Sequence, residues 1–304
     1  MRDAHTPVLL HEVLDLLMIH ADDTIVDATL GGAGHARAIA EAQGEKGVFI
    51  GFDMDADAIQ RANDQLASTK PTKHFVEGNF RYLARELERL GVTVIDKALF
   101  DLGWSAYQRS SGRGFSFMHD EPLVMTYDKG SEGLTAAEIV NEWKEGSLAD
   151  IIFGWGEERY ARRIARAIVD RRSRKPFAST FELADVITSA VPAAYRFGKL
   201  HPATRTFQAL RITVNDELDA LREGLGAAWK LLKPGGRLAV ITFHSIEDRI
   251  VKQMFAAWES EGSGTRIVRK PVRPSSEEVR RNPRSRSAKL RGIEKVVLYE
   301  KART

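Results

Sequence analysis

The chain contains no cysteine. That absence excludes a disulfide scaffold, a thiolate metal site and any cysteine nucleophile. It also lacks an apolar run of membrane-spanning length, and its opening, MRDAHTPVLL, has no signal-type apolar core, so a cytoplasmic protein is expected. No histidine pair has H-E-x-x-H or a comparable ligand spacing, so no metal is expected. Internal repeats and low-complexity tracts are missing too. What is present is ordinary globular usage, with 43% hydrophobic and 29% charged residues over 304 positions, enough for about two domains. The net charge of +3 hides an uneven distribution. Between Arg266 and Arg291, ten Lys/Arg stand against two Glu, so the rest of the chain is net acidic.

Short apolar segments alternate with helical patterns in the first third. TIVDAT (24–29), VFIGFD (48–53), HFVEGN (74–79) and ALFDLG (98–103) have the composition of buried strands, each closing on polar or glycine residues. Ile59/Ala62/Leu66 and Leu83/Leu87/Leu90 keep helical spacing between them, as Leu10/Val13/Leu14/Leu17 do after Thr6-Pro7. This alternation predicts a parallel sheet covered on both faces. The next strand pattern, RLAVITF, comes only at 237–243, after an apolar stripe of Leu218, Leu221, Leu225, Trp229 and Leu232 stopped by Lys233-Pro234-Gly235-Gly236. The interval is helical in pattern (TAAEIVNEW, EERYARRIARAIVDRR, FELADVITSAV) and too long for a loop. A helical domain, 106–204, is therefore expected to interrupt an α/β domain formed by 1–105 and 205–304. Ser245-Ile246-Glu247-Asp248 is predicted to cap a helix, and RIVRK and KVVLYEK are predicted as late strands around the basic stretch.

Asp27-Ala28-Thr29-Leu30-Gly31-Gly32-Ala33-Gly34-His35 falls at a strand-to-helix turn, where glycines admit a ligand to the backbone and helix N–H groups face it. Asp53 ends the next strand, the usual place of a ribose-binding carboxylate. A dinucleotide requires G-x-G-x-x-G/A, and Arg37 occupies the third small position here. The acidic Asp27 favours S-adenosylmethionine, whose amino group needs neutralising and which carries no pyrophosphate. Asp27, Asp53 and Asp101 are predicted to share one sheet edge. The turn LKPGGRLAV (232–240) points to the same cofactor.

Longer strings carry a family resemblance. HTPVLLHEVLDLL (5–17), RGFSFM (113–118), GEERYARRIARAIV (156–169), HPATRTFQALRITVNDEL (201–218), FHSIEDRIVKQMF (243–255) and RNPRSRSAKLR (281–291) resemble the bacterial small-subunit ribosomal RNA cytosine-N4 methyltransferases, in order and over nearly the whole chain. The resemblance implies a class I S-adenosylmethionine-dependent methyltransferase (Rossmann-like) sheet with an inserted helical substrate-recognition domain. It implies methylation of a decoding-centre cytosine in 16S rRNA, with 16S rRNA or the small ribosomal subunit as partner, as a monomer or a homodimer. It places cofactor contacts on Ala33, Gly34, His35, Asp53, Phe80, Asp101 and Gln108. The family usually has GVSSPQ where this chain has Gly103-Trp104-Ser105-Ala106-Tyr107-Gln108, and DGPLDMRMD where it has Asp120 to Asp128 with Val124 and Thr126 replacing charged residues. Those departures motivate a second reading, an RNA-binding ribosome-assembly protein that keeps the fold with altered or lost activity.

The chemistry is an in-line displacement at a sulfonium, so alignment carries much of the acceleration. The candidate catalytic residues are Asp101 and Ser105, the nearest acceptors for the amine, and His244 at the end of the fifth strand. RNA contact requires cations, and three sets qualify: the Arg266–Arg291 stretch, Arg159/Arg162/Arg163/Arg166, and Arg205/Gln208/Arg211.

Overall fold

In the computed structural model, residues 7–103, 111–128 and 133–296 are described. The chain forms two compact units, Met1–Trp104 with Asp219–Thr304, and Ser105–Leu218.

The first unit is built on a seven-stranded sheet. Its strands are β1 (Thr24–Asp27), β2 (Val48–Asp53), β3 (Thr72–Glu77), β4 (Ile95–Asp101), β5 (Leu232–Thr242), β6 (Gly264–Arg266) and β7 (Lys289–Lys295). The spatial order is β3-β2-β1-β4-β5-β7-β6. β1 to β5 pair in parallel, and β7 runs antiparallel to both β5 and β6. This is the class I methyltransferase sheet that the resemblance implied. Phe49, Ile50, Phe52 and Ala98 to Phe100 are fully buried, as the near-continuous apolar runs of a doubly covered parallel sheet require. Helices α1 (Leu10–Leu17), α2 (Gly34–Ala42) and α3 (Ala56–Leu66) follow, with α4 (Leu83–Arg89) between β3 and β4. Leu17, Ile39, Leu66 and Leu290 share one core cluster with Ile25, Phe49, Leu99 and Ile241.

The late strands differ from the expectation. RIVRK contributes only Arg266, and the final strand is KLRGIEK, which begins inside the basic stretch. Two tertiary features account for this. Asp248 accepts from Lys289 Nζ at 2.8 Å and Arg291 Nε at 2.7 Å, so a cationic strand can be buried. At Gly292 an added Cβ would lie 2.5 Å from the Leu16 side chain, so glycine is what lets α1 pack on β7. KVVLYEK contributes Lys295 to β7, and its residues from 297 onward lie outside the described residues.

The second unit is helical: α5 (Ala136–Glu142), α6 (Glu145–Gly154), α7 (Ala161–Arg172), α8 (Thr180–Ala190), α9 (Ala193–Arg196) and α10 (Thr204–Asn215). α10 joins it because Gln208 donates to the Trp155 carbonyl at 2.9 Å and Arg205 to that of Glu157. The unit therefore extends past the 204 boundary read from sequence. Buried Glu158 accepts from Tyr195 Oη at 2.6 Å and from Tyr160 N at 2.8 Å. The segment around Val124 and Thr126 is braced: Arg113 donates to the carbonyls of Thr126 and Tyr127, and Tyr127 stacks on Phe115 with a 12° interplanar angle. In the first unit, α11 (Glu217–Leu231) precedes β5, and α12 (Ser245–Ser260) and α13 (Ser276–Arg281) follow it.

Candidate cofactor site at the sheet edge

The strand order reverses direction between β1 and β4, and such a switch point opens a crevice at the carboxyl ends of the strands. Asp27 ends β1 and Asp101 ends β4, so both flank it. The chain leaves β1 through a loop held on both sides. Ala28 N donates to the Leu99 carbonyl at 2.9 Å and Leu30 N to that of Phe52 at 3.0 Å. Gly31 (φ 49°) and Ala33 (φ 62°) adopt the left-handed conformation that turns the chain into α2. A non-glycine residue rarely adopts it, and Ala33 is fully buried there. Gly34 is closely packed as well: an added Cβ would lie 3.0 Å from the Pro7 ring, which would have to shift to admit it.

The acidic groups are placed by backbone donors. Asp53 Oδ2 accepts from Gly31 N at 2.8 Å and Oδ1 from Asp55 N at 2.9 Å, which ties the end of β2 to the glycine loop. Burial nonetheless raises the Asp53 pKa against those bonds. Asp27 is completely buried, and its Oδ1 accepts from Thr29 N at 3.1 Å. Burial pushes its pKa up to about 7. Asp101 N donates to Thr29 Oγ1 at 2.7 Å, so one threonine joins the loop to β4.

His35 completes the cluster. Its Nε2 lies 2.9 Å from the Val8 carbonyl and its Nδ1 3.3 Å from Asp101 Oδ2. Both partners are acceptors, so the doubly protonated ring satisfies them together. Burial opposes that charge, but the hydrogen bond and charge of Asp101, with Asp27 and the Val8 carbonyl, outweigh it and raise the pKa.

Two carboxylate oxygens at this edge, Asp27 Oδ2 and Asp101 Oδ1, are buried without a hydrogen-bond partner among the described residues. An unsatisfied buried acceptor costs about 1–3 kcal/mol, so native proteins seldom keep one without a use. The edge thus sets Asp27, Asp53 and Asp101 against His35 and the Arg61 guanidinium, whose charge lowers the Asp53 pKa. The two unpaired oxygens suit a ligand that carries hydrogen-bond donors.

The remaining sequence-predicted residues are placed differently. Phe80 begins a turn after β3, packs edge-on against Phe100 at 5.4 Å, and occupies the space where Gly224 lacks a Cβ. His244 is the N-cap of α12, one residue before the expected Ser245. Its Nδ1 accepts from Glu247 N at 3.4 Å, and Glu247 Oε2 accepts from His244 N at 3.3 Å. Ser105 and Gln108 lie outside the described residues. Sequence reasoning missed Val8 and Thr29, whose contributions are a carbonyl and a hydroxyl bond to a main-chain N–H. No side-chain pattern signals the first, and the only signal for the second was its position two residues after Asp27. Of the three cationic sets, Arg205 and Gln208 are engaged by main-chain carbonyls, and Arg211 is buried in a two-pronged pair with Glu217.

Comparison with known proteins agrees with this geometry. A family model described as the MraW methylase family matches residues 2–296. The chain is 45% identical over 315 residues to a Symbiobacterium thermophilum protein named ribosomal RNA small subunit methyltransferase H, covering 98% of this chain and 99% of that one. Proteins of the same name from Carboxydothermus hydrogenoformans (46% identity, 97% and 99% covered) and Clostridioides difficile (44%, 96% and 99%) are similarly close.

Proposed function

The chain belongs to the MraW methylase family, and on that premise we propose that it transfers a methyl group from S-adenosylmethionine to the N4 amine of a decoding-centre cytosine in 16S rRNA. The observation that carries this reading is the pair of buried, unpartnered carboxylate oxygens, Asp27 Oδ2 and Asp101 Oδ1, beside a glycine loop at the switch point. Asp27 Oδ2 fits the ammonium group of the cofactor and Asp101 Oδ1 an amine hydrogen of the substrate, and the names carried by the related proteins support the ribosomal RNA substrate. A ribosomal RNA substrate supports a cytoplasmic location. No described helix is long and apolar enough to cross a membrane.

The cofactor supplies a methyl group on positively charged sulfur. The chain's residues hold and align. Asp27 would offer its free oxygen to the ammonium group, Asp53 would bind the ribose, and the Gly31–Gly34 loop would let the backbone approach. Ala33, Gly34 and His35 lie on the same turn, and the family resemblance adds Phe80 and Gln108 as further residues that would contact the cofactor. His35 holds Asp101 through Oδ2, which leaves Oδ1 directed by a fixed partner. That oxygen is the acceptor for a hydrogen of the cytosine amine, whose lone pair is otherwise delocalised into the ring. Fixing the amine hydrogen orients the nitrogen toward the methyl group, the alignment on which an in-line displacement depends. Ser105 is a second acceptor for the amine, and His244 acts through its cap on α12. The helical unit, 106–204 with α10, serves substrate recognition.

The test is incorporation of labelled methyl from S-adenosylmethionine into undermethylated small subunits, followed by nucleoside analysis. N4-methylated cytidine is the expected product. Cofactor binding without incorporation into any form of 16S rRNA would overturn the reading.

A further inference from the structure

The basic stretch is a fixed surface rather than a loose tail, and its cations divide into two populations. Lys289 and Arg291 turn inward to Asp248, Arg266 pairs with Glu259, and Arg281 pairs with Glu277. The other six, Arg269, Lys270, Arg273, Arg280, Arg284 and Arg286, are exposed and form no salt bridge among the described residues, although the Arg269 charge reaches Glu259 and helps to lower its pKa. The backbone beneath them is anchored. Ile267 N donates to the Gly292 carbonyl at 2.9 Å, and Val272 and Leu290 exchange two bonds of 2.9 Å. Ser285 and Ala288 are fully buried.

The same segment is tied to the glycine-loop corner. Glu278 Oε1, in α13, accepts from Leu9 N at 2.8 Å. One residue earlier, the Val8 carbonyl holds His35, and Pro7 lies against Gly34. Three consecutive residues therefore connect the cationic helix to the candidate site.

We propose that the six outward cations of Arg269–Arg286 form a preorganised track for the phosphate backbone of RNA, delivering the substrate to the sheet edge. This inference rests on the RNA-methylating function proposed above. Six like charges, of which Arg269 alone has a carboxylate, Glu259, acting on it among the described residues, repel one another, and a polyanion is what relieves them. Because the backbone is already ordered, little conformational freedom is lost on binding. Cations spread along a segment in this way contact phosphate, which positions RNA without reading its sequence.

The test compares wild type with an Arg280→Gln/Arg284→Gln/Arg286→Gln variant. It measures binding to a 16S rRNA fragment across a range of salt, initial rates on small subunits, and affinity for S-adenosylhomocysteine. Loss of three phosphate contacts is expected to lower the slope of log K against log salt by about 2. The loss of rate is expected to fall on KM rather than kcat, with S-adenosylhomocysteine affinity kept. The corresponding Arg→Lys variant should restore the slope. An unchanged salt slope and KM in a folded variant would overturn the proposal, as would binding to anionic phospholipid vesicles that follows these residues while RNA binding does not. Should the triple variant fail to bind S-adenosylhomocysteine, Lys270→Gln/Arg273→Gln decides by the same readouts. If wild type binds RNA with the steep slope yet methylates none, the track stands and the proposed reaction fails.

Discussion

Two regions of the α/β unit leave charged groups incompletely partnered, and they do so in opposite ways. At the sheet edge, Asp27 and Asp101 each keep one buried oxygen unpaired among the described residues. Along the C-terminal arm, six exposed cations form no salt bridge among the described residues. An unpaired group in the interior is costly, so few can be kept, and each is specific for a donor at one point. An unpaired surface cation costs almost nothing, and it acts by number over a length of polyanion. The first arrangement suits a small cofactor and the second a nucleic acid, so the two should fail independently.

The largest expected effect is at the reacting end of the buried cluster. Asp101→Ala should lower turnover by roughly 10²-fold or more, the usual scale for a group that positions a proton or a reacting atom. Turnover kept within about twofold of wild type would remove Asp101 from the reaction. Next is the clamp beneath the arm. Asp248→Ala leaves Lys289 and Arg291 without their shared acceptor and should destabilise the protein by about 2–3 kcal/mol, between the ranges for exposed and buried pairs. Denaturant unfolding measures it, and RNA binding should weaken with it because the arm loses its anchor.

A smaller effect follows from protonation. The folded pKa of Asp27, about 7, lies above its ordinary 3.8. The native carboxyl therefore keeps a proton that the unfolded chain releases, and stability without ligand falls as pH rises from about 4 to 7, then levels off. The contribution is on the order of 1 kcal/mol per pH unit. Asp27→Asn should remove that slope from the melting temperature, and an identical pH profile in the two proteins would contradict the burial argument. The smallest effect is a control at the residue that breaks the dinucleotide fingerprint. Arg37 makes only an exposed pair with Glu41, so Arg37→Ala should change stability by less than about 0.5 kcal/mol in the same unfolding experiment.

Legibility in the sequence followed the physics of each region. Strands β1, β2 and β4 were readable because both their faces are buried and the composition says so, and the half-buried edge strand β3 through its Phe75 and Val76. β7 was not, because its Lys, Arg and Gly depend on Asp248 and on Leu16, both distant in the chain. The cap of α12 was misplaced by one residue, since an imidazole nitrogen does at His244 what a hydroxyl does at most caps. At the site, Asp27, Asp53, Asp101 and His35 were nameable from strand ends and the glycine loop. Which of their oxygens would be left unpaired depended on Thr29, Gly31 and Val8, which act through loop geometry. The charge of the C-terminal stretch was plain, but its division into inward and outward cations required β7.

The claim that the two regions bind different partners is tested most directly by calorimetric titration of S-adenosylhomocysteine into wild type, Asp27→Asn and the triple arm variant at pH 8. Asp27→Asn is expected to weaken binding by roughly tenfold or more, the loss of one charge-assisted buried hydrogen bond, while the arm variant retains wild-type affinity. Equal affinities in wild type and Asp27→Asn, or a loss confined to the arm variant, would contradict it.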